Sequence, residues 1–211
     1  MIRVLLLDDY AVVRAGYRML IEAETDMHVV AEAANSAQAC EALREQVVDV
    51  AVIDLSLKGD SGFEAMRRLR ERDPRIKMLV FTMHAQESFV QQALRAGATG
   101  YLTKDSDPHE MVLAIRDVAY GRRVCSSDVA EILLHDAAKQ GQTTPLQRLT
   151  PREFDVLRLA TGGQATDEIA NALHISEKTV FNTMSLVRQK LEMRSDFKLL
   201  RLAMEQGLVQ M

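Results

Sequence analysis

Cysteine is almost missing from this 211-residue chain: Cys40 and Cys125 are its only two, far apart. Their scarcity excludes a disulfide scaffold and a thiolate metal site, and both read as reduced thiols of a cytosolic protein. Long apolar runs are missing too. None approaches the ~18 residues of a membrane span, and the opening Met1–Leu7 meets Asp8-Asp9 too soon for a signal peptide, so no membrane partner is expected. The five histidines show no H-x-x-x-H or similar spacing, which argues against zinc. A basic excess is also lacking. Residues 1–120 carry 14 Lys/Arg against 19 Asp/Glu, residues 121–148 carry 4 against 3, and residues 149–211 carry 8 against 8. If nucleic acid is the partner, positive residues must be gathered on one face rather than spread through the tail. What is present is ordinary globular composition, 47% apolar and 27% charged, which excludes a wholly disordered or collagen-like chain.

Along residues 1–120, short apolar runs alternate with amphipathic stretches. The runs are Ile2–Leu7, His28–Ala33, Val50–Ile53, Met78–Phe81 and Thr99–Leu102. Each is rich in Val, Ile and Leu with little period-2 alternation, as strands buried on both faces read. Helix signals separate them. Ser61…Glu64 and Asp107…Glu110 are capping boxes, the latter with Pro108 at the first helical position, and Gly97 ends a helix. The pattern predicts an α/β domain, a doubly wound five-stranded parallel sheet over residues 1–120.

Residues 121–148 read as a linker carrying one short helix, Asp128–Ala138 after Ser127; the stretch Lys139–Arg148 has Gly141, Pro145 and no apolar periodicity. From 149 to 211 everything reads as short helices of a small all-α domain. Thr150-Pro151-Arg152-Glu153 combines an N-cap, a proline at N1 and a capping-box acid, and Gly162-Gly163 ends that helix. Thr166–Leu173 and a helix opened by Ser176 are joined by a tight turn at His174-Ile175, which is helix-turn-helix geometry. The third helix puts Val180, Met184, Val187 and Leu191 inward; a fourth runs from Ser195 to Gly207.

Ligands of open parallel sheets bind at the carboxyl ends of the strands. Asp8-Asp9 end the first strand, Asp54 the third and Thr82 the fourth, and Lys104 follows the fifth, so all five should collect at one edge. Three clustered carboxylates repel one another unless a divalent cation and the lysine offset them. An oxygen-rich site of this kind suits Mg2+. With the threonine hydroxyl added, the set is equipped to accept a phosphoryl group on one carboxylate and to stabilise charge on its equatorial oxygens.

The pattern Asp8-Asp9…Asp54…Thr82…Lys104 resembles the flavodoxin-like receiver domain of two-component response regulators. The stretch Leu149-Thr-Pro-Arg-Glu153…Glu177-Lys-Thr-Val180…Lys190-Leu191 resembles the LuxR-type helix-turn-helix, and the two together are similar to the NarL/FixJ class over essentially the whole chain. The resemblance implies a phosphorylation-controlled transcription regulator in the cytoplasm, with a sensor histidine kinase and double-stranded DNA as partners, working as a homodimer through the last helix. It implies Asp54 as phosphoacceptor. Mg2+ would be held by Asp9, by Asp8 through water, by Asp54 and by the backbone carbonyl of Ser56, and Lys104 would pair with the phosphate. Thr82 would turn toward the phosphate, with Tyr101 following from an exposed to a buried rotamer. No substrate turnover is implied. The chain departs from the family in carrying Leu57-Lys58 where Met-Pro is usual and Met83 where alanine is frequent; both are expected to alter the lifetime of the phosphoryl group more than its chemistry.

On the third tail helix, Lys178, Thr179, Phe181, Asn182, Ser185, Arg188 and Gln189 point outward in the manner of a recognition helix. Lys178, Arg188 and Lys190 suit phosphates, Asn182 an adenine, and Phe181 a thymine methyl. Relatives often have lysine in place of Phe181 and histidine in place of Thr183. Two other functions compete. An aspartate-nucleophile phosphatase needs a second acid two residues after the nucleophile, where this chain has Ser56. A receiver whose output is protein-partner binding is compatible with the neutral tail and Phe181.

Overall fold

The computed structural model describes residues 1–138 and 144–209. Its first part is a parallel sheet of β1 (Ile2–Leu7), β2 (Met27–Ala33), β3 (Val50–Ile53), β4 (Lys77–Thr82), β5 (Gly100–Thr103) and β6 (Val124–Cys125), in the order β2-β1-β3-β4-β5-β6. Five of these are the expected runs, shifted by a residue at some ends. The sixth corrects the expected count of five. It is two residues long, with Val124 and Cys125 opposite Gly100 and Tyr101, and two residues carry no period for a sequence reading to detect.

Helices α1 (Ala11–Glu22) and α5 (Pro108–Ala119) cover one face; α2 (Ser36–Glu45), α3 (Gly62–Arg72) and α4 (Glu87–Ala96) cover the other. Alternate strand residues serve the two layers: Val4, Leu6, Val50 and Val52 pack toward α1 and α5, while Leu5, Leu7, Ala51 and Ile53 pack toward α2–α4. That double coverage is why the strands are apolar throughout.

Helix ends follow the sequence signals in part. Gly97 caps α4 in the left-handed region at φ 102°. The two expected boxes in the first part are only half formed. The Ser61 hydroxyl accepts from the Glu64 N–H at 3.4 Å, but the Glu64 carboxylate turns away to Arg67, and the Ser61 N–H donates to Asp60 instead. Asp107 caps through the His109 N–H, at 2.8 Å.

The tail holds α6 (Ser127–Ala138), a 3-10 turn at Pro145–Arg148, α7 (Pro151–Thr161), α8 (Thr166–Ala172), α9 (Glu177–Lys190) and α10 (Asp196–Glu205). Residues 139–143 of the expected linker lie outside the described residues. The end of that linker is not loose chain: Leu146 is buried, and the Gln92 amide on α4 donates to the Leu146 and Leu149 carbonyls at 3.1 and 3.0 Å. At α7 the full capping box of Thr150 and Glu153 is present.

The two parts share one core. Phe154 on α7 meets Phe63 on α3 and Phe89 on α4 edge-on, with centroids 5.7 and 5.3 Å apart, and Leu157, Val187 and Leu202 belong to the same buried cluster. Polar ties flank it: the Ser61 hydroxyl donates to Asp155, and Arg152 pairs with Glu64.

Candidate functional site

The strand order reverses at β1 and β3, which is where open α/β sheets form a crevice at their carboxyl ends. Leu7 pairs with Ile53, so the residues that follow, Asp8 and Asp54, emerge side by side. The Asp54 N–H donates to the Leu7 carbonyl at 2.9 Å, and the Lys104 N–H donates to the Thr82 carbonyl at 2.8 Å. Backbone pairing alone therefore gathers three of the expected site residues and positions Lys104. Its amine lies 2.6 Å from both Asp8 Oδ2 and Asp54 Oδ2. The remaining oxygens of these acids are fixed from the backbone, Asp8 Oδ1 by the Tyr10 N–H at 2.8 Å and Asp54 Oδ1 by the Ser56 N–H at 3.0 Å.

Burial by itself pulls the Lys104 amine down, but Asp54 and Asp8 outweigh it and hold the amine above its ordinary range. It is a permanent cation. Asp9 has no such partner. Both its oxygens are buried without a hydrogen bond, and the nearest cation is the largely exposed Lys58 amine at 3.8 Å, which also lies 4.2 Å over the Tyr10 ring. A buried carboxylate left without donors is strongly unfavourable unless a cation is supplied, so the chemistry of the acids fits a hard divalent ion. Their present arrangement is not yet a cage: among the described residues no three acidic, imidazole or thiol groups are arranged to hold a metal. Lys104 occupies two of the three acids.

The Thr82 hydroxyl is fully buried and makes no hydrogen bond. Its neighbour Met83 is exposed. Tyr101 is in its buried position, with its hydroxyl donating to the His84 carbonyl at 2.7 Å; burial first, then the charges of Asp54 and Asp128, pushes the phenol up, so it remains a donor.

His84 went unnoticed in the sequence, yet it connects the pocket to the domain seam. Its Nε2 is 2.8 Å from Ser56 Oγ, and its ring stacks on Phe89. Burial and the Arg158 charge on α7 pull the imidazole down, which keeps it neutral. Asp155 and Phe154, and the pairing of Glu64 across the seam, were missed for a related reason. All three resemble ordinary helix residues until the partner helix is in place.

In the tail, α8 and α9 form the expected pair, with His174 in the turn at φ 51° and the Ser176 hydroxyl accepting from the Thr179 N–H at 3.2 Å. Lys178, Thr179, Phe181, Asn182, Ser185 and Gln189 are exposed together on α9, Phe181 by 62%. Two of the expected phosphate contacts have intramolecular partners: Arg188 pairs with Asp196 at 2.7 Å, and the Lys190 amine donates to Glu153 at 2.7 Å. Thr183 is buried and donates to the Thr179 carbonyl. On α10, Leu199, Leu202 and Ala203 are buried, while Phe197 is 75% exposed and Leu200 partly so.

Comparison with known proteins matches this geometry. The response regulator receiver domain family covers residues 4–116, and the luxR family of bacterial regulatory proteins covers residues 147–203. The response regulator UvrY of Escherichia coli K12 is 35% identical over 209 residues, 99% of this chain and 96% of its own. The oxygen regulatory protein NreC of Staphylococcus epidermidis is 32% identical over 216 residues, 99% of each chain. Among solved structures, a LuxR-family two-component response regulator from Aurantimonas is 44% identical with TM-score 0.62, covering 64% of this chain and 97% of its own. RcsB of Salmonella enterica bound to the rprA promoter with the phosphomimetic BeF3- has TM-score 0.73 at 25% identity, covering 95% and 97%.

Proposed function

Because the chain belongs to the two-component response regulators that join a receiver to a LuxR-type DNA-binding domain, we propose that Asp54 accepts a phosphoryl group from a sensor histidine kinase and so controls how the tail binds double-stranded DNA. The observation that carries this reading is the Lys104 amine, 2.6 Å from both Asp8 and Asp54, beside a buried threonine hydroxyl without a partner. An Asp54 oxygen attacks phosphorus as the phosphohistidine bond breaks, and its electron pair leaves with the imidazole. Lys104 and Thr82 then meet the new equatorial oxygens with an ammonium and a hydroxyl. Asp9, Asp54, the Ser56 carbonyl and, through water, Asp8 would hold Mg2+, which supplies positive charge against those oxygens. Tyr101, buried with its hydroxyl on the His84 carbonyl, is the switch partner of Thr82 in this reading. The protein is a regulator of transcription, and we assign it no substrate turnover.

We take residues 1–120 as the receiver, 121–148 as the connection and 149–211 as the DNA-binding domain. Lys178, Thr179, Phe181, Asn182 and Ser185 face the major groove. Arg188 reaches a phosphate by exchanging Asp196 for it. Lys190 stays with Glu153 and orients α9 against α7 from beside the phosphates. RcsB dimers on DNA are among the similar structures, and Phe197 and Leu200 on α10 offer an apolar surface for a homodimer. Membership of a DNA-binding regulator family supports a cytoplasmic location; no helix among the described residues is long and apolar enough to cross a membrane.

The test selects bound sequences from random duplexes and then measures affinity for the winner with and without beryllofluoride and Mg2+. The wild type should tighten on treatment, whereas Asp54→Ala should not respond. An unchanged wild type, or an equal response in the variant, overturns the phosphorylation switch.

A further inference from the structure

Away from the carboxylate pocket, the domain seam opens into a trench of about 540 Å3. That volume is within the range of roughly 300–1,000 Å3 common for small-molecule sites, and domain interfaces are where such sites concentrate. Phe63 on α3, Pro74 after it and Ala96 at the end of α4 line the receiver side. Pro151 lines the tail side at the start of α7.

Seven charged side chains ring this carbon-lined space, and most of them satisfy one another. Arg67 pairs with Glu64 at 2.7 Å and with Glu71, and Arg152 also pairs with Glu64. Asp155 is taken by Arg158, at 2.6 Å. Arg70 and Arg95 are left over. Among the described residues neither faces a carboxylate: Arg70 donates to the Ala96 carbonyl at 3.3 Å, and Arg95 to the carbonyls of Gln147 and Leu149. The placement of Arg70 is specific. Its guanidinium lies over Gly97, where a Cβ would come within 1.8 Å of Nη1.

An apolar trench with two guanidinium groups that face no carboxylate matches a ligand with a hydrocarbon body and one anionic end, since guanidinium pairs strongly with an oxyanion such as a carboxylate and aliphatic carbon gains by leaving water. We propose that this seam binds a free amphipathic carboxylic acid, its carboxylate on Arg70 and Arg95 and its body against Phe63, Pro74 and Pro151. Such a ligand touches both domains, so it binds their docked arrangement and opposes their separation. This goes beyond phosphoryl control of the tail and does not depend on it.

The experiment is calorimetric titration of the intact, unphosphorylated protein without DNA. The probes are decanoate, below its micelle-forming concentration, and decylammonium, which has the same tail and the opposite head charge. Decanoate should bind saturably, one per chain, and raise the unfolding temperature; decylammonium should not saturate. The exposed pair Arg70→Ala/Arg95→Ala should weaken decanoate at least tenfold. Ala96→Phe, which fills the trench while keeping both arginines, should weaken it as much, with the circular dichroism of each variant confirming its fold. Absence of saturable decanoate binding, equal binding of decylammonium, or affinity unchanged in both variants overturns the proposal. Sedimentation with phosphatidylglycerol vesicles that shares the same arginine dependence would overturn the free acid in favour of a membrane surface.

Discussion

The imidazole of His84 lies flat on the ring of Phe89, with centroids 3.9 Å apart and planes within 7° of parallel. One side of that stack reaches the pocket through Ser56, and the other reaches α7, because Phe89 meets Phe154 edge-on. The phosphoacceptor loop and the DNA-binding domain are thus three side-chain contacts apart, with His84 and Phe89 as the two residues between them.

Truncating this ring should loosen the seam. His84→Ala is expected to lower stability by about 1–2 kcal/mol, less than the roughly 3–5 of a fully buried aromatic because the ring is only partly covered. His84→Phe keeps the stack and loses only the Ser56 contact, so it should stay within about 1 kcal/mol of wild type. Urea denaturation of the three proteins checks both values; equal losses would assign the effect to Ser56 rather than to the stack.

Asp9 lies in a nearly closed site, its side chain only 7% exposed, with neither oxygen hydrogen-bonded and only the exposed Lys58 amine 3.8 Å away. Without divalent cation, Asp9→Ala should stabilise the protein by about 1–3 kcal/mol, since an unsatisfied buried group is removed. Mg2+ should narrow that gap. At ten times its Kd it adds about 1.4 kcal/mol to wild type and nothing to the variant. Thermal unfolding with EDTA and with Mg2+ shows both effects, and an Asp9→Ala protein that gains as much from Mg2+ as wild type places the ion elsewhere.

Burial pushes the Glu153 carboxyl up, but Lys190 and the backbone and side chain of Thr150 outweigh it and hold it below its ordinary value of 4.5. The unfolded chain therefore binds this proton more readily than the folded one. The stability Glu153 contributes is complete above about pH 4.5 and disappears as pH falls through the lower folded value. Glu153→Gln should lower stability at neutral pH by about 1–2 kcal/mol and flatten the acid limb of the stability curve. Denaturant midpoints measured from pH 3 to 7 provide the check.

Gly62 opens α3 directly over the phosphoacceptor loop, where an added Cβ would lie 2.3 Å from the Asp54 carbonyl oxygen and 2.5 Å from Leu55 Cα. Alanine normally gains about 1 kcal/mol over glycine within a helix. Here both obstructions are backbone and cannot swing aside, so overpacking of about 1–3 kcal/mol sets the sign. Gly62→Ala should be less stable and should incorporate phosphate more slowly from a small donor. A more stable protein with normal incorporation would show that the loop yields freely.

The amino-acid sequence by itself determined the sheet and its pocket. Ile2–Leu7 and Val50–Ile53 form strands residue for residue as expected, because strands covered on both faces must be apolar throughout, and that is a local signature. Once five such strands lie parallel, whatever follows each of them arrives at one edge, so Asp8, Asp54, Thr82 and Lys104 were legible as a group. The tail helices were legible from caps, as at Thr150 and Ser176. Only the tertiary structure decided which side chains stayed available. Lys190 turns to Glu153 and Arg188 to Asp196, Glu64 leaves its cap for two arginines, and Phe63, Phe89 and Phe154 close one core across two domains. Most of these pairings join residues tens of positions apart with no period between them. They depend on how finished helices pack, and a linear pattern of apolar and charged residues does not encode that.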